Sequence, residues 1–276
     1  MTSLILVTGG TGTLGRQVVA CLRDAGAKVR VLSRRSHPPA DGVEFVAGDL
    51  LTGEGVGPAV DGTGVIVHCA SGNKGDADAT RNLVRAASSL PAPPHLVYIS
   101  IVGAELVSFR YVRAKIECEQ IVAGSGLPWT TLRATQFYDL IFKGAPTLAR
   151  LPVVPVPAGF VIQPVDSGDV ATRLAGLALG EPAGRVRDMG GPQVLSFADL
   201  LRAYLRVSHR RRPVVPVWMP GIRAVRSGAL LVSPEEAAAP GYAAGQRTWE
   251  EYLAGRLRQQ ASGPVGPVRP GRAGAD

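Results

Sequence analysis

Three glycines, Gly9, Gly12 and Gly15, recur at intervals of three residues directly after a short apolar run at residues 4–7. A helical pattern follows at once, and this order of strand, glycine-rich turn and helix is the context that a dinucleotide-binding motif requires. Gly9 allows a tight turn, Gly12 lets the backbone approach a pyrophosphate, and Gly15 lets the helix pack closely on its strand. The N–H groups at the helix start then face the phosphates, where the helix dipole also favours negative charge. The sequence therefore predicts a phosphate-binding loop; the alternative is a tight turn that holds no ligand.

The second predicted strand is followed by Ser33, Arg34 and Arg35, about twenty residues beyond the glycines. A site selective for NAD usually carries an acidic residue there, which accepts hydrogen bonds from the ribose hydroxyls. An arginine instead pairs with a 2′-phosphate and offers nothing to an unmodified diol. NADP(H) is therefore favoured as the cofactor over NAD(H); the alternative is that Arg34 and Arg35 are ordinary surface arginines.

The first half of the chain alternates apolar, β-branched runs with helical patterns, which predicts a parallel sheet covered by helices on both faces. The fold class is therefore α/β, a Rossmann-type doubly wound sheet. The predicted strands lie at residues 4–7, 29–32, 44–46, 65–68, 96–99 and 130–132, and the predicted helices at 14–25, 77–88 and 111–123.

This rhythm breaks after Thr135, where prolines become frequent and the elements become short. Three helix starts remain legible, at Asp166, Ser196 and Thr248, each with an acidic residue three positions later. We expect residues 1–135 to form the dinucleotide-binding domain and residues 136–258 a small α+β substrate-binding lobe packed on it. Residues 259–276 contain no core-forming run and are predicted to be a disordered tail.

Composition narrows the function classes further. The chain has a net charge of +8, and its one dense basic cluster is Arg210 to Arg212. We interpret this cluster as a solvated loop, so nucleic-acid binding is not expected. Three cysteines without paired or metal-type spacing indicate reduced thiols and no metal site. No apolar run approaches the length of a membrane span and no signal peptide is recognisable, so we expect a cytoplasmic protein without membrane contact. The oligomeric state stays open.

The glycine spacing T-G-x-x-G-x-x-G resembles that of the short-chain dehydrogenase/reductase superfamily. Residues 99–104, 111–119 and 126–138 narrow the resemblance to its atypical, NmrA-like NAD(P)-binding branch. The similarity covers nearly the whole chain, including the closing residues 248–253. It implies NAD(P) binding, and it leaves two activities open, because the branch includes both reductases and proteins that bind NADP without turnover.

The resemblance also implies a catalytic set. Reductases of this superfamily use a Tyr-x-x-x-Lys pair on one helix and a serine at the end of the fifth strand, which here are Tyr111, Lys115 and Ser100. The i, i+4 spacing places Tyr111 and Lys115 on one helix face, where the ammonium favours the phenolate. Tyr111 would move the proton, and Ser100 would hydrogen-bond the carbonyl oxygen. The alternative is a purely structural amphipathic helix with Glu117 and Glu119 as solvated partners.

Further site residues follow from the same resemblance. The loop residues Thr11, Thr13 and Leu14 should join the three glycines in holding the phosphates. Asp49 and Leu50 should lie against the adenine. Ala70 and Ser71 should pass below the ribose that carries nicotinamide, and Lys115 should also hold this ribose. Phe137 and Tyr138 should carry aromatic rings into the substrate pocket; the alternative for both rings is a place in the core.

Together these observations predict an NADP(H)-dependent oxidoreductase that transfers hydride between nicotinamide and a small apolar carbonyl, quinone or similar substrate. The alternative is a non-catalytic, NADP-binding redox sensor or regulator of the NmrA type. The two hypotheses differ in turnover: a reductase should lose turnover but keep NADP affinity in Tyr111→Phe, whereas a sensor has no turnover to lose.

Overall fold

A computed structural model describes residues 3–38, 42–72, 74–106, 110–219, 227–240, 242 and 244–261, with the backbone alone at 110–112, 260 and 261. The strands are β1 Leu4–Thr8, β2 Val29–Ser33, β3 Val43–Ala47, β4 Thr63–His68, β5 His95–Ile101, β6 Trp129–Ala134, β7 Val154–Pro157, β8 Val161–Ile162, β9 Gly184–Arg185, β10 Leu195–Ser196 and β11 Val214–Val217. The helices are α1 Gly15–Asp24, α2 Val56–Val60, α3 Asp76–Ser88, α4 Arg110–Ala123, α5 Tyr138–Leu148, α6 Ser167–Ala178, α7 Phe197–Val207, α8 Pro234–Ala238 and α9 Trp249–Ala261.

The central sheet has seven parallel strands in the order β3-β2-β1-β4-β5-β6-β9. Apolar side chains of β1, β4 and β5 alternate between its two faces, because successive strand residues point in opposite directions. One face packs on α1 and α6, and the other packs on α2, α3 and α4. The predicted doubly wound Rossmann-type sheet is therefore confirmed, with all six predicted strands present.

The predicted boundary at residue 135 does not coincide with the packing. Helix α6 carries Val170, Ala171 and Leu174 into the same core as β1 and α1, and β9 extends the central sheet beside β6. Part of the predicted substrate lobe is thus an integral layer of the central-sheet fold. Sequence could not show this, because a two-residue strand and an ordinary amphipathic helix carry no signal of which sheet they join.

The remaining C-terminal elements form a smaller core of their own. Helices α5, α7 and α9 pack with two short two-stranded sheets, β8 with β10 and β7 with β11, around a cluster of aromatic rings. The three predicted helix starts are all present: Asp166 and Ser196 cap their helices, and Thr248 and Glu251 bond reciprocally in a capping box. Helix α9 runs to Ala261, three residues into the predicted tail, and residues 262–276 lie outside the described part of the chain. No helix among the described residues is both long enough and apolar enough to span a membrane.

Candidate cofactor groove and active site

A groove of about 550 Å³ runs across the carboxyl ends of the central strands. The loops that follow β1, β2, β3 and β4 form its walls, where doubly wound sheets place their ligands. Most of the residues assigned to the cofactor meet there, although they are scattered over more than sixty positions of sequence; the groove is lined by Gly9, Thr11, Gly12, Arg34, Arg35, Asp49, Leu50, Ala70 and Ser71, among others.

The glycine-rich loop has a backbone that side chains would obstruct. Gly9 has a φ of 68°, and a Cβ there would lie 2.7 Å from the backbone nitrogen of Ala70. A Cβ on Gly15 would collide with the carbonyl oxygen of Gly9, so the start of α1 sits directly on the loop. Gly12 lines the groove, and a Cβ there would meet only that same carbonyl, at 3.2 Å. Gly9 and Gly15 therefore close the turn, and Gly12 leaves a bare backbone toward the groove. Thr13 and Leu14 precede α1.

The β2 end of the groove presents two guanidinium groups. Arg34 and Arg35 are exposed, and among the residues that the structure describes neither forms an ion pair with a carboxylate. The hydroxyl of Ser33 shapes this turn, because it accepts from the Arg35 N–H at 3.2 Å and hydrogen-bonds His37 Nε2 at 2.9 Å. Because these two guanidinium groups have no carboxylate partner among the described residues, they are suited to bind an anionic ligand.

The β3 end supplies Asp49 and Leu50. Asp49 Oδ1 accepts the N–H of Leu51 at 2.9 Å, which fixes the turn and orients the carboxylate beside the groove. Leu50 is buried in the core behind it. This wall combines an apolar surface with an acceptor, which suits a flat heteroaromatic ring that carries an amino group.

The loop after β4 leads into an acidic residue that the sequence reasoning did not single out. Asp76 begins α3, lines the groove, and accepts the Ser71 hydroxyl at 2.9 Å and the Gly72 N–H at 2.7 Å. Its Oδ2 also lies 3.7 Å from Nζ of Lys115 on α4. Asp76 and Lys115 are 8 % and 3 % exposed, so a buried ion pair joins the groove wall to the helix that carries Tyr111.

The predicted catalytic residues lie on adjacent elements beside this pair. Ser100 is near the end of β5 and is 2 % exposed, and its Oγ has no hydrogen-bond partner in the described structure. Ser100 lies on the same face of β5 as Tyr98, whose ring centre is 5.4 Å from Lys115 Nζ. Tyr111 occupies the first turn of α4, one helical turn before Lys115; its side chain lies outside the described atoms.

The described titratable side chains around Lys115 are mostly neutral. Burial, with a smaller contribution from the Lys115 ammonium, lowers the pKa of His68 to about 3. Burial raises the pKa of Cys69 to about 12 and also raises the pKa values of Tyr98 and Cys118. His68 bridges the hydroxyls of Thr8 and Thr80, at 2.7 and 3.1 Å, beneath the loop. At neutral pH these four neighbours of Lys115 therefore carry no charge, in contrast to Asp76.

An NAD(P)H-binding family model matches residues 9–151. A reductase of (4-alkanoyl-5-oxo-2,5-dihydrofuran-3-yl)methyl phosphate from Streptomyces griseus is 32% identical over 214 residues, 75% of this chain and 74% of the relative. The photosystem II assembly factor Ycf39 of Cyanophora paradoxa is 30% identical over 77% of this chain and 71% of its own length. An NADPH-dependent quinone oxidoreductase of Escherichia coli, solved with NADPH, superposes with a TM-score of 0.76 at 19% identity, covering 92% of this chain and 99% of that chain.

This chain belongs to the NAD(P)H-binding family. The match begins at Gly9 and covers more than half of the chain, so it includes the loop, the groove walls and α4. The NAD(P)-binding family that the predicted resemblance implies is thereby confirmed. The solved structure supports the fold, and the two relatives show that proteins of this kind carry names as different as reductase and assembly factor.

The side chains of this family member fit a dinucleotide. The glycine loop leaves room for phosphates, and Arg34 and Arg35 have no internal counter-charge in the described structure. Two buried polar groups near the ends of neighbouring strands also lack partners there: Ser100 Oγ on β5 and both amide atoms of Gln136 beyond β6. Unpaired buried polar groups are costly, and the position of these two near the strand ends is consistent with a site completed by a ligand. Gln136 had no distinguishing signal in the sequence.

The structure corrects the aromatic substrate residues in part. Tyr138 is fully buried, donates its hydroxyl to the Arg247 carbonyl at 3.0 Å, and packs against Trp249 and Tyr252. It belongs to the core of the C-terminal lobe, because α5 turns that face of the helix toward α9. Phe137 is half-buried against the central core, and its place near a substrate stays a prediction.

Proposed function

We propose that this protein is an NADP(H)-dependent oxidoreductase that transfers hydride between nicotinamide and a carbonyl, quinone or similar small apolar substrate. The observation that carries the proposal is the position of Lys115, which is buried one helical turn beyond Tyr111 and contacts the groove wall through Asp76. A buried ammonium is costly for stability, and sites that hold such groups are commonly functional.

The choice of NADP(H) rests on Arg34 and Arg35. Both line the groove where β2 ends, and neither meets an acidic partner among the described residues. A 2′-phosphate at this end would accept hydrogen bonds from one or both guanidinium groups. No acidic side chain follows β2 directly to accept from an unmodified ribose.

Each residue of the catalytic set then has a role. When bound, NADP(H) would supply or accept the hydride. Tyr111 Oη would donate a proton to the substrate oxygen, or take it in the reverse direction. The Lys115 ammonium favours the phenolate form of Tyr111, and the Ser100 hydroxyl donates a hydrogen bond to the same substrate oxygen. Ser100 suits this role because its Oγ is unpaired on the sheet face that Lys115 overlies.

The substrate class is inferred from the relatives. The Streptomyces relative is named for an alkanoyl-oxo-dihydrofuranyl substrate, and the Escherichia coli neighbour for quinones. Both names describe compounds in which a carbonyl is the electron-poor group, and we expect this chain to act on the same class.

A second function is supported by the Ycf39 relative, which is named as an assembly factor. In that case the groove would bind NADP without turnover, and the output would be a contact with another protein. Tyr111 and Ser100 would then have no catalytic role.

The two functions are separated by one set of assays. The wild-type protein and its Tyr111→Phe variant are tested for NADPH oxidation with a panel of quinones, enones and ketones, and NADPH affinity is measured by calorimetry. We expect Tyr111→Phe to lower kcat by about 10²-fold or more while NADPH affinity is retained. Tyr204→Phe, which removes a hydroxyl in the C-terminal lobe, is the matched control and keeps wild-type turnover.

Tight NADPH binding without turnover on any acceptor, in wild type and variant alike, would favour the sensor. Failure of the wild type to bind either NADPH or NADH would remove both functions.

A further inference from the structure

Asp76 is a buried carboxylate that faces the groove and an ammonium at once. It accepts from the Gly72 N–H and the Ser71 hydroxyl, and its Oδ2 lies 3.7 Å from Lys115 Nζ. A direct charge-assisted hydrogen bond between such groups is about 2.7–2.9 Å long, so the two groups face each other without closing the bond. An ionised carboxylate can accept about four hydrogen bonds, so Asp76 retains acceptor capacity toward the groove.

The other described titratable groups around Lys115 are either neutral or paired with a different residue. Around Lys115 lie His68, whose pKa is lowered by burial, and Cys69, Tyr98 and Cys118, whose pKa values are raised by burial, so all four are neutral at pH 7. Glu119, the next acidic residue on this face of α4, is occupied by Arg133. Asp76 is therefore the described carboxylate beside Lys115, and it is through Asp76 that this buried pair reaches the lining of the groove.

The pair selects for a ligand group that both donates and accepts. A carboxylate can only accept and an ammonium can only donate, so a group placed between them must do both. A hydroxyl does so, whereas a phosphate or carbonyl oxygen only accepts and would be repelled by Asp76. Among the groups of a dinucleotide, the sugar hydroxyls do both through a single oxygen atom.

The strand order decides which sugar. Arg34 and Arg35 follow β2, the phosphate loop follows β1, and Asp76 lies beyond β4 on the opposite side of that loop. A dinucleotide has one ribose on each side of its pyrophosphate. If the 2′-phosphate end lies at the arginines, the ribose near Asp76 is the one that carries nicotinamide.

From this arrangement we infer that Asp76 is a cofactor-binding residue, which accepts a hydrogen bond from a hydroxyl of the nicotinamide ribose while Lys115 donates to the same sugar. This inference rests on the proposed use of NADP(H). It gives Asp76 a binding role besides ordering the loop through Ser71 and Gly72.

The test compares two ligands on one variant. Asp76→Asn and wild type are titrated by calorimetry with NADPH and with 2′,5′-ADP, which has the adenine end but no nicotinamide ribose. We expect Asp76→Asn to weaken NADPH binding about tenfold, the value of one charge-assisted hydrogen bond, and to leave 2′,5′-ADP binding unchanged. Asp78→Asn is the matched control, because it removes the same charge two residues along α3, where Asp78 pairs with Arg81 at the surface.

Each other outcome has a definite meaning. Equal weakening of both ligands would show that Asp76 only orders the loop, and unchanged NADPH affinity would show that it does not contact the sugar; either result overturns the inference. A wild type that binds neither ligand would instead defeat the proposed function.

A ligand-side measurement keeps the inference testable if Asp76→Asn does not fold. NADP analogues that lack the 2′- or the 3′-hydroxyl of the nicotinamide ribose are titrated into the wild type. One of them should bind about tenfold more weakly than NADP. Full affinity for both analogues would overturn the inference without involving any variant.

Discussion

Arg133 of β6 and Glu119 of α4 form a bidentate ion pair, with Nε 2.9 Å from Oε1 and Nη2 2.8 Å from Oε2. The remaining guanidinium nitrogen, Nη1, lies 3.0 Å from both carboxylate oxygens of Glu105, in the connection between β5 and α4. One buried guanidinium therefore ties the sheet both to the helix that carries Lys115 and to the loop that leads into that helix. Glu119 is one helical turn beyond Lys115, so this ion pair helps to fix the rotation of α4.

Removing Glu119 should destabilise the protein far more than removing its exposed neighbour. Glu119→Ala leaves the buried Arg133 with one carboxylate partner, and we expect the free energy of unfolding to fall by about 3 kcal/mol. Glu117→Ala removes an exposed ion pair between α4 and Arg81 of α3, and it should cost far less because solvent screens exposed pairs. Urea denaturation followed by tryptophan fluorescence measures both. Equal losses would mean that the bidentate pair does not hold α4.

The two arginines after β2 should determine cofactor selectivity. Replacing Arg34 and Arg35 together with serine removes the cations that would meet a 2′-phosphate. We expect NADPH affinity to fall by about 10²-fold, the value of one or two charge-assisted hydrogen bonds, while NADH affinity changes little. Calorimetry with both cofactors measures the ratio, and Arg202→Ser on α7 is the control for loss of surface charge. A variant that still prefers NADPH would contradict the assignment.

Stability should depend on pH through His68. Burial lowers the folded-state pKa of His68 to about 3 from its ordinary value of 6.5, so the unfolded chain binds this proton more readily than the folded chain does. Neutral His68 therefore contributes stability that is fully present above pH 6.5 and is lost as the pH falls toward 3. The slope in this window approaches about 1.4 kcal/mol per pH unit from this one group.

The check is a series of urea denaturations between neutral and acidic pH on wild type and His68→Gln. The variant is expected to be less stable at pH 7 and to lose stability less steeply on acidification. Parallel curves for the two proteins would assign the acid sensitivity to other groups.

Tyr138 should prove structural. Tyr138→Phe removes the hydrogen bond to the Arg247 carbonyl but keeps the ring among Trp249 and Tyr252. We expect a loss of about 1 kcal/mol in the free energy of unfolding, with KM for the substrate and NADPH affinity unchanged. An increase in KM without a change in stability would instead indicate that Tyr138 contacts the substrate.

Some residues of the groove could be predicted from their neighbours in sequence, and others could not. The glycine loop could be predicted because its function requires particular backbone conformations within eight residues, and glycine is the residue that permits them. Arg34 and Arg35 could be predicted because a parallel strand must end at the ligand-bearing edge of the sheet. Asp76 could not be singled out in this way. An acidic residue in the first turn of a helix is common, and its meaning depends on Lys115 thirty-nine positions later.

For the aromatic residues after β6, local sequence predicted a position that the tertiary packing did not produce for Tyr138. Phe137 and Tyr138 follow β6 directly, yet Tyr138 is directed into the C-terminal core by the packing of α5 on α9. A tyrosine suits a substrate pocket and a core equally well, because its ring is apolar and its hydroxyl needs one partner. That partner, the Arg247 carbonyl, lies more than a hundred residues away.

The sequence by itself determined the fold class, the order of the strands along the chain, the glycine-rich turn after β1 and the helix caps, because each of these depends on backbone preferences over a few neighbouring residues. The tertiary structure decided which elements share a layer, as for α6 and β9, and which charges meet, as for Asp76 with Lys115 and Arg133 with Glu119. Such pairings depend on distances between segments far apart in the chain, and local sequence does not contain those distances.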